Sequence, residues 1–402
     1  MSESRRTFLG TLAAGSAAAA TPPAREKLSA NGKIQIGIIG AGGRGRFHVG
    51  DLSKLKGENI AIVALCDVHR PDLDALAERA GTVFGTTVKK TAEYREMLAN
   101  PEVDAVILAA PDFTHSQMLE DAVRAGKDVY CEKPMGTLFA DAKRAYLAVK
   151  NCDRVVQIGT QRRSDPGLMG AAKLMQQGVI GRVMRVDMEV HFQEARWRRD
   201  FSKIREQDID WKRFLMGRSE RPFDARRWRE WQLFRDYTNG LPGLWMSHFI
   251  DLVPWFLGTP YPKSAVASGG VYLWKDGRET EDTFQALLEY PNDCLVRWAM
   301  TLTNASPERN LWHGTKGTLD AQAMQVTGMG SRMPDKLTAD ITIEKESPDT
   351  HMQNWLRCIR SRSTPRADIQ AGFSHAVAGC MSAEALRTGR RVTFDADRLE
   401  IV

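Results

Sequence analysis

Three groups of residues in this chain have types and spacings suited to chemistry. The first is Gly40-Ala41-Gly42-Gly43-Arg44-Gly45, a Gly-x-Gly-x-x-Gly turn directly after the apolar run Ile34 to Ile39. Gly40 permits a tight turn, Gly42 lets a pyrophosphate approach the backbone, and Gly45 lets the next helix pack close to the strand. That helix start offers unpaired N–H groups and a partial positive charge to the phosphates. A second apolar run, Ile60 to Cys66, ends at Asp67, placed to accept hydrogen bonds from a ribose 2′-hydroxyl. Its charge repels a 2′-phosphate and so favours NAD, while Arg70 nearby leaves NADP open. The second group is Glu132-Lys133-Pro134, just past the run Asp128 to Cys131. An ammonium at the carboxyl end of a parallel strand sits where ligands of such sheets bind, and it can hold a substrate oxygen and lower its pKa. The third is His248, with Asp251 one helical turn later. Oxidising a secondary alcohol needs a hydride acceptor, a base for the hydroxyl proton and a cation for the developing alkoxide, and an imidazole is a natural base. Taken alone, each has a plain alternative: Lys133 as a solvated lysine after a strand, His248 as a core histidine bonded to a carbonyl.

The elements needed to position these groups are legible. From Lys33 to Val156, short apolar strands alternate with amphipathic helices, which predicts a doubly wound parallel sheet over residues 32–156. Helices are expected over 46–55, 72–80, 91–98 and from Thr114, where Thr114 and Gln117 fit a capping box, to Gly126. Beyond Ile158 the grammar changes. Polar and apolar residues alternate over 182–192, 264–274, 283–290 and 294–303, which predicts a large, mostly antiparallel open sheet with one exposed face in an α/β domain spanning 157–402. Helices are expected over 351–362 and 368–388. A segment rich in arginine and tryptophan, 195–237, interrupts the pattern. Tryptophan faces stack on sugar C–H surfaces and arginine forks bind carboxylates, so it either lines a carbohydrate pocket or packs at an interface.

At 402 residues, 43% hydrophobic and 26% charged, the chain can build two cores and is not a disordered protein. A net charge of +6 without an aromatic-interleaved basic patch argues against a nucleic-acid partner. The six cysteines, Cys66, Cys131, Cys152, Cys294, Cys358 and Cys380, are scattered and read as free core thiols. No His, Cys or Asp spacing resembles a zinc or iron site, so no metal is expected. Residues 1–31 read differently. Ser4-Arg5-Arg6-Thr7-Phe8-Leu9-Gly10 and the Ala/Gly stretch to Ala20 resemble a twin-arginine signal, followed by a linker. The apolar run is too short for stable membrane insertion, and the resemblance implies a folded protein exported to the periplasm or beyond.

The dinucleotide turn, Pro111 with His115, Glu132-Lys133-Pro134, Gln161 in Gln-Ile-Gly-Thr-Gln-Arg-Arg, Trp245-Met-Ser-His248-Phe-Ile-Asp251 and Gly314-Thr-Lys-Gly317 occur in this order. As an ordered set they resemble the glucose–fructose oxidoreductase / inositol dehydrogenase / MocA family (Gfo/Idh/MocA). The resemblance implies a nicotinamide-binding Rossmann domain and a C-terminal α/β domain whose open sheet supports a homodimer or homotetramer. It also implies redox chemistry on a sugar, polyol or related small molecule. It places Pro111, His115, Glu132, Lys133 and Gln161 beside the cofactor, and Lys133, Trp245, His248 and Asp251 beside the substrate. His248 matches the family's catalytic histidine. Many relatives carry an aspartate four residues before it, where this chain has Leu244; Arg163 and Tyr237 are candidate substitutes.

Three functions follow as expectations. The first is an exported oxidoreductase that keeps its nicotinamide and returns it to its starting state in each cycle, because free nicotinamide is not expected outside the cytosol. The second is a glycoside hydrolase or lyase working by transient oxidation, elimination and re-reduction. The third is a binding module that holds the nucleotide without turnover.

Overall fold

The computed structural model describes residues 32–402; the expected leader over 1–31 lies outside the described residues. The chain begins with β1 (Ile34–Ile39), α1 (Gly43–Ser53), β2 (Ile60–Cys66), α2 (Arg70–Phe84), β3 (Lys89–Thr91), α3 (Tyr94–Ala99) and β4 (Ala105–Leu108). It continues with α4 (His115–Arg124), β5 (Asp128–Cys131), α5 (Phe139–Lys150) and β6 (Val156–Ile158). These six strands form one parallel sheet in the order β3-β2-β1-β4-β5-β6. Strands β1, β2 and β4 are almost wholly apolar, with Gln35 in β1 the one polar side chain, because helices cover both faces.

The second half holds α6 (Pro166–Gln176), β7 (Val183–His191), α7 (Trp211–Leu215), α8 (Ala225–Arg229), α9 (Ser247–Ile250) and α10 (Leu252–Leu257). Next come β8 (Ser264–Gly270), β9 (Thr283–Tyr290), β10 (Cys294–Thr301), β11 (Arg309–Gly314), β12 (Thr318–Asp320), β13 (Gln325–Thr327) and β14 (Ile341–Thr342). The chain closes with α11 (His351–Ser361), α12 (Ile369–Thr388), β15 (Val392–Asp395) and β16 (Glu400–Ile401). Ten strands make a sheet ordered β14-β13-β12-β11-β7-β10-β9-β8-β15-β16, antiparallel except where β7 runs parallel to β10. Alternation does its work here. In β9, Phe284, Ala286, Leu288 and Tyr290 are buried, while Leu287 on the opposite face is exposed beside Leu295 of β10. On that open face Arg297 pairs with Asp187 at 3.1 Å.

Three sequence expectations change. The capping box at Thr114 does not form, because the Thr114 hydroxyl donates to the Pro111 carbonyl at 2.8 Å; the capping box that does form is Thr350 with Gln353, opening α11. Helix α1 starts three residues early, at Gly43, so the glycine turn itself supplies its first N–H groups. The division expected after residue 156 cuts β6, and α11 returns to the first sheet. There Met352, Trp355, Leu356 and Ile359 share a core with Ile34, Ile36, Ile38 and Tyr130. All six cysteines are unpaired.

Candidate active site

The glycine turn has the shape a dinucleotide needs. Gly40 has φ +105°, and a Cβ there would meet the Ala109 carbonyl at 2.6 Å; a Cβ on Gly45 would lie 1.9 Å from the Gly40 oxygen. A Cβ on Gly42 or Gly43 would meet nothing within 4 Å, which leaves room above the turn. No side chain caps α1. Ala41 and Gly45 do not face the cavity: Ala41 is buried and donates its backbone N–H to Asp67 Oδ2 at 2.5 Å, and Gly45 packs on the turn. Asp67 Oδ1 accepts the His69 N–H at 2.7 Å, and burial pushes its carboxyl upward against these two bonds. The carboxylate still lines the cavity with acceptor capacity to spare for a ribose hydroxyl. Arg70, the residue that kept a 2′-phosphate open, pairs with Asp208 at 3.2 Å. The turn and Asp67 together fit NAD.

Glu132 is the hub of the cofactor side. Its Oε1 accepts from Arg44 Nε at 2.6 Å and Gln161 Nε2 at 3.3 Å, and lies 2.9 Å from His48 Nε2. Burial opposes its charge, but the His48 and Arg44 contacts hold the carboxyl well below the usual range. Gln161 also donates to Tyr130 Oη at 2.9 Å. His115 bridges two turns, with Nδ1 2.8 Å from the Pro134 carbonyl and Nε2 2.9 Å from that of Ala110. It therefore fixes Pro111 and Lys133 relative to each other as well as lining the cavity.

Lys133 Nζ donates to the Leu244 carbonyl at 3.0 Å, across the junction of the two sheets. Burial lowers its pKa, and the carboxylates of Asp112 and Glu132 pull the other way. Leu244 belongs to a wide π-helical turn, Pro242–Met246, which runs straight into α9 and delivers His248 to the same cavity. Burial first, then the charges of Lys133 and Arg162, hold the His248 imidazole well below its ordinary pKa, so it is neutral at neutral pH. Asp112, which the sequence did not single out, completes the group. It follows Pro111 at the end of β4, is 6% exposed, and its Oδ2 has no hydrogen-bond partner. Burial pushes its carboxyl up to about 6 against the pull of Lys133. The available signal was an acid directly after the proline that stops the strand.

Four expected substrate residues are not brought to the cavity. Arg163 and Asp251 neutralise each other in the core, Nε to Oδ2 at 2.8 Å and Nη2 to Oδ1 at 3.0 Å. Tyr237 is fully buried and packs on Phe113 and Phe214 with ring centroids 5.2 and 5.3 Å away, so it supports the wall from behind. Trp245 packs on Phe192, Arg196 and the His248 ring and is not among the residues lining the cavity. Neither Arg163 nor Tyr237 reaches the cavity to replace the absent aspartate; Asp112 and Glu132 are the carboxylates whose charges act on Lys133.

Residues 195–237 form a strap over the cleft, serving as both pocket wall and packing segment. Ile209 makes a β-bridge to His69, the Asp210 N–H donates to the Val68 carbonyl at 2.9 Å, and the Trp228 ring packs tilted against His69 with centroids 4.7 Å apart. Trp197, Arg199, Trp228, Arg229, Trp231 and Gln232 close a cavity of about 1130 Å³ that runs from Asp67 to His248. Among the described residues no His, Cys, Asp and Glu cluster could hold a metal ion, and no helix is long and apolar enough to cross a membrane.

The oxidoreductase family's NAD-binding Rossmann fold matches residues 34–160, and the same family's C-terminal alpha/beta domain matches residues 172–394. An inositol 2-dehydrogenase of Gluconacetobacter diazotrophicus is 35% identical over 155 residues, 38% of this chain and 44% of that protein, so the match spans less than half of the relative. The uncharacterized oxidoreductase YdgJ of Escherichia coli is 24% identical over 314 residues, 75% of this chain and 76% of that one. Among solved structures, the WlbA dehydrogenase of Bordetella pertussis in complex with NADH and UDP-GlcNAcA superposes with a TM-score of 0.69 at 22% identity, covering 91% of this chain and 100% of that one.

Proposed function

The chain belongs to the Gfo/Idh/MocA oxidoreductase family, and from that premise we propose that it oxidises a secondary alcohol of a sugar, polyol or sugar derivative with a nicotinamide that it retains and recycles. The observation that carries this is the convergence of Lys133, His248 and Asp112 on one cavity, facing the glycine turn and Asp67. Bound NAD supplies the hydride acceptor. Lys133 Nζ spends one donor on the Leu244 carbonyl and has two left for a substrate oxygen, whose negative charge it stabilises. The imidazole of His248, neutral through burial, accepts the hydroxyl proton at a ring nitrogen. Asp112 keeps a counter-charge beside Lys133, opposing the loss of its proton on burial.

The strap supports retention, because a nucleotide lying from Asp67 to Lys133 leaves only after the contacts of Val68 and His69 with Ile209, Asp210 and Trp228 part. Export by the twin-arginine route belongs to the same proposal, since a loaded, folded enzyme needs no external nucleotide pool. Association of subunits through the open sheet face is favoured by the exposed Leu287 and Leu295. The test is to purify the protein without added nucleotide, measure bound NAD by mass spectrometry, and follow turnover on a panel of sugars and polyols. Stoichiometric bound NAD and many turnovers without added cofactor support the proposal. Empty protein that reduces free NAD mole for mole with product returns it to a simple dehydrogenase. Cleavage of an aryl glycoside with no net nicotinamide change identifies a hydrolase or lyase instead.

A further inference from the structure

The strap does not give every cation a carboxylate partner among the described residues. Its arginines are mostly matched to carboxylates, as Arg205 is to Asp208 at 2.7 Å, Arg226 to Glu230 at 2.9 Å and Arg227 to Asp236 at 3.0 Å. Arg199 and Arg229 both line the cavity and make no ion pair among the described residues. They are held side by side: Arg199 Nη1 donates to the Arg229 carbonyl at 3.3 Å, and the Arg199 N–H donates to Glu230 Oε1 at 2.6 Å. Glu230 also holds Arg226 at 2.9 Å, so its single charge is shared among three guanidinium groups. Partial burial and the charge of Arg229 work against the Arg199 guanidinium and Glu230 pulls the other way, while the residue keeps an exposed edge on the strap. Arg229 Nε is buried without a hydrogen-bond partner. Next to them, Gln232 is 7% exposed, faces the same cavity, and has an Oε1 without a partner.

A buried donor without an acceptor, beside a second unpaired cation, is an unfavourable arrangement that an anion relieves. An unpartnered amide oxygen in the same wall takes a hydroxyl, and Trp228 and Trp231 offer flat apolar faces to C–H surfaces. We infer that Arg199 and Arg229 form an anion subsite for the substrate, so that the sugar oxidised here carries a carboxylate. This inference deepens the proposed oxidoreductase function and rests on it for the word substrate. The cofactor's pyrophosphate is the other anion in the cavity, but the turn at Gly42–Gly43 and the start of α1 already receive it from the Rossmann side.

The test is calorimetric titration of the NADH-loaded protein with D-glucuronate and D-galacturonate against D-glucose and D-galactose, in parallel with NADH titration of nucleotide-free protein. A uronate is expected to bind at least about tenfold more tightly than its neutral parent, with a preference that shrinks as salt rises. Arg199→Gln and Arg229→Gln are expected to remove that preference while NADH affinity stays within about twofold, and Arg229→Lys to keep part of it. Equal affinity for acid and neutral sugar, or no binding of either uronate, overturns the inference. Loss of NADH affinity in the glutamine variants with sugar preference intact assigns the pair to the cofactor's phosphates and overturns it too. A neutral sugar that reduces bound NAD without any uronate preference sinks the subsite and leaves the oxidoreductase standing. Arginine-dependent uronate binding in a protein that no sugar reduces does the reverse.

Discussion

Replacing Asp112 by Asn separates stability from activity in opposite directions. A carboxyl moved from its ordinary 3.8 up to about 6 binds its proton more tightly in the folded than in the unfolded chain. Its contribution to folding is therefore greatest below pH 3.8 and is lost as pH rises through about 6. At pH 8 the ionised side chain costs about 3 kcal/mol, at 1.36 kcal/mol for each tenfold in proton affinity. Asparagine keeps the shape and never ionises. Asp112→Asn is thus expected to raise Tm at pH 8 by about 4 °C, given an unfolding entropy near 2 cal/mol/K per residue, and to leave Tm unchanged near pH 4. Turnover on the sugar found by the panel is expected to fall at least about tenfold, because Lys133 loses its counter-charge. Scanning calorimetry from pH 4 to 9 and steady-state kinetics read the two effects. A variant less stable than the wild type at pH 8 refutes the reasoning, since the carboxylate would then be a net stabilising partner of Lys133 and not a strained functional group.

Lys133→Ala is expected to lower turnover by about 10²–10³-fold with NADH affinity, followed by fluorescence titration, nearly intact; near-wild-type rates in the folded variant remove Lys133 from the chemistry. Because His248 is neutral through the physiological range, the acid limb of the kcat/KM profile is expected near pH 6, from Asp112, and to move lower in Asp112→Asn. A limb at the ordinary histidine value in both proteins contradicts the burial of His248. Asp67→Ala is expected to narrow the preference for NAD over NADP by roughly tenfold in competitive titration; tighter NADP binding by the wild type overturns the ribose assignment. Thr350→Ala removes the capping box of α11 and is expected to lower stability by about 1 kcal/mol in urea unfolding, whereas a neutral result means α11 is held by its core contacts alone.

The parts of the site legible in the sequence are those whose partners are close along the chain. The glycine turn, Asp67 and Lys133 announce themselves because each follows a recognisable strand end, and β9 and β10 because alternation records which face is buried. The misread residues are those whose meaning is set by distant partners. Arg163 and Asp251 look like a cation and an acid available for substrate, and only the fold, bringing them together across 88 positions, shows that each cancels the other. Asp112 looks like an ordinary Pro-Asp turn until the fold buries it within reach of the Lys133 charge. Tyr237 sits in an Arg/Trp-rich segment, yet its ring is taken by Phe113, from the other half of the chain.

The return of α11 to the first sheet sets a timetable for the ribosome. The Rossmann strands are complete once Ile158 is made, and α1 and α2 already share the core of Ile34, Ile36 and Ile38, but the remainder of that cover waits for Trp355 and Leu356. The interval is fixed by the Gln157–His351 contact, 194 positions apart. At about 5–20 residues per second, that is about 10–40 s during which an apolar patch of the nascent chain stays uncovered. Nucleotide loading before α11 arrives would meet a half-covered sheet. Chaperone capture of nascent chains truncated between residues 160 and 350, and release once 361 has emerged, are the expected traces of that interval.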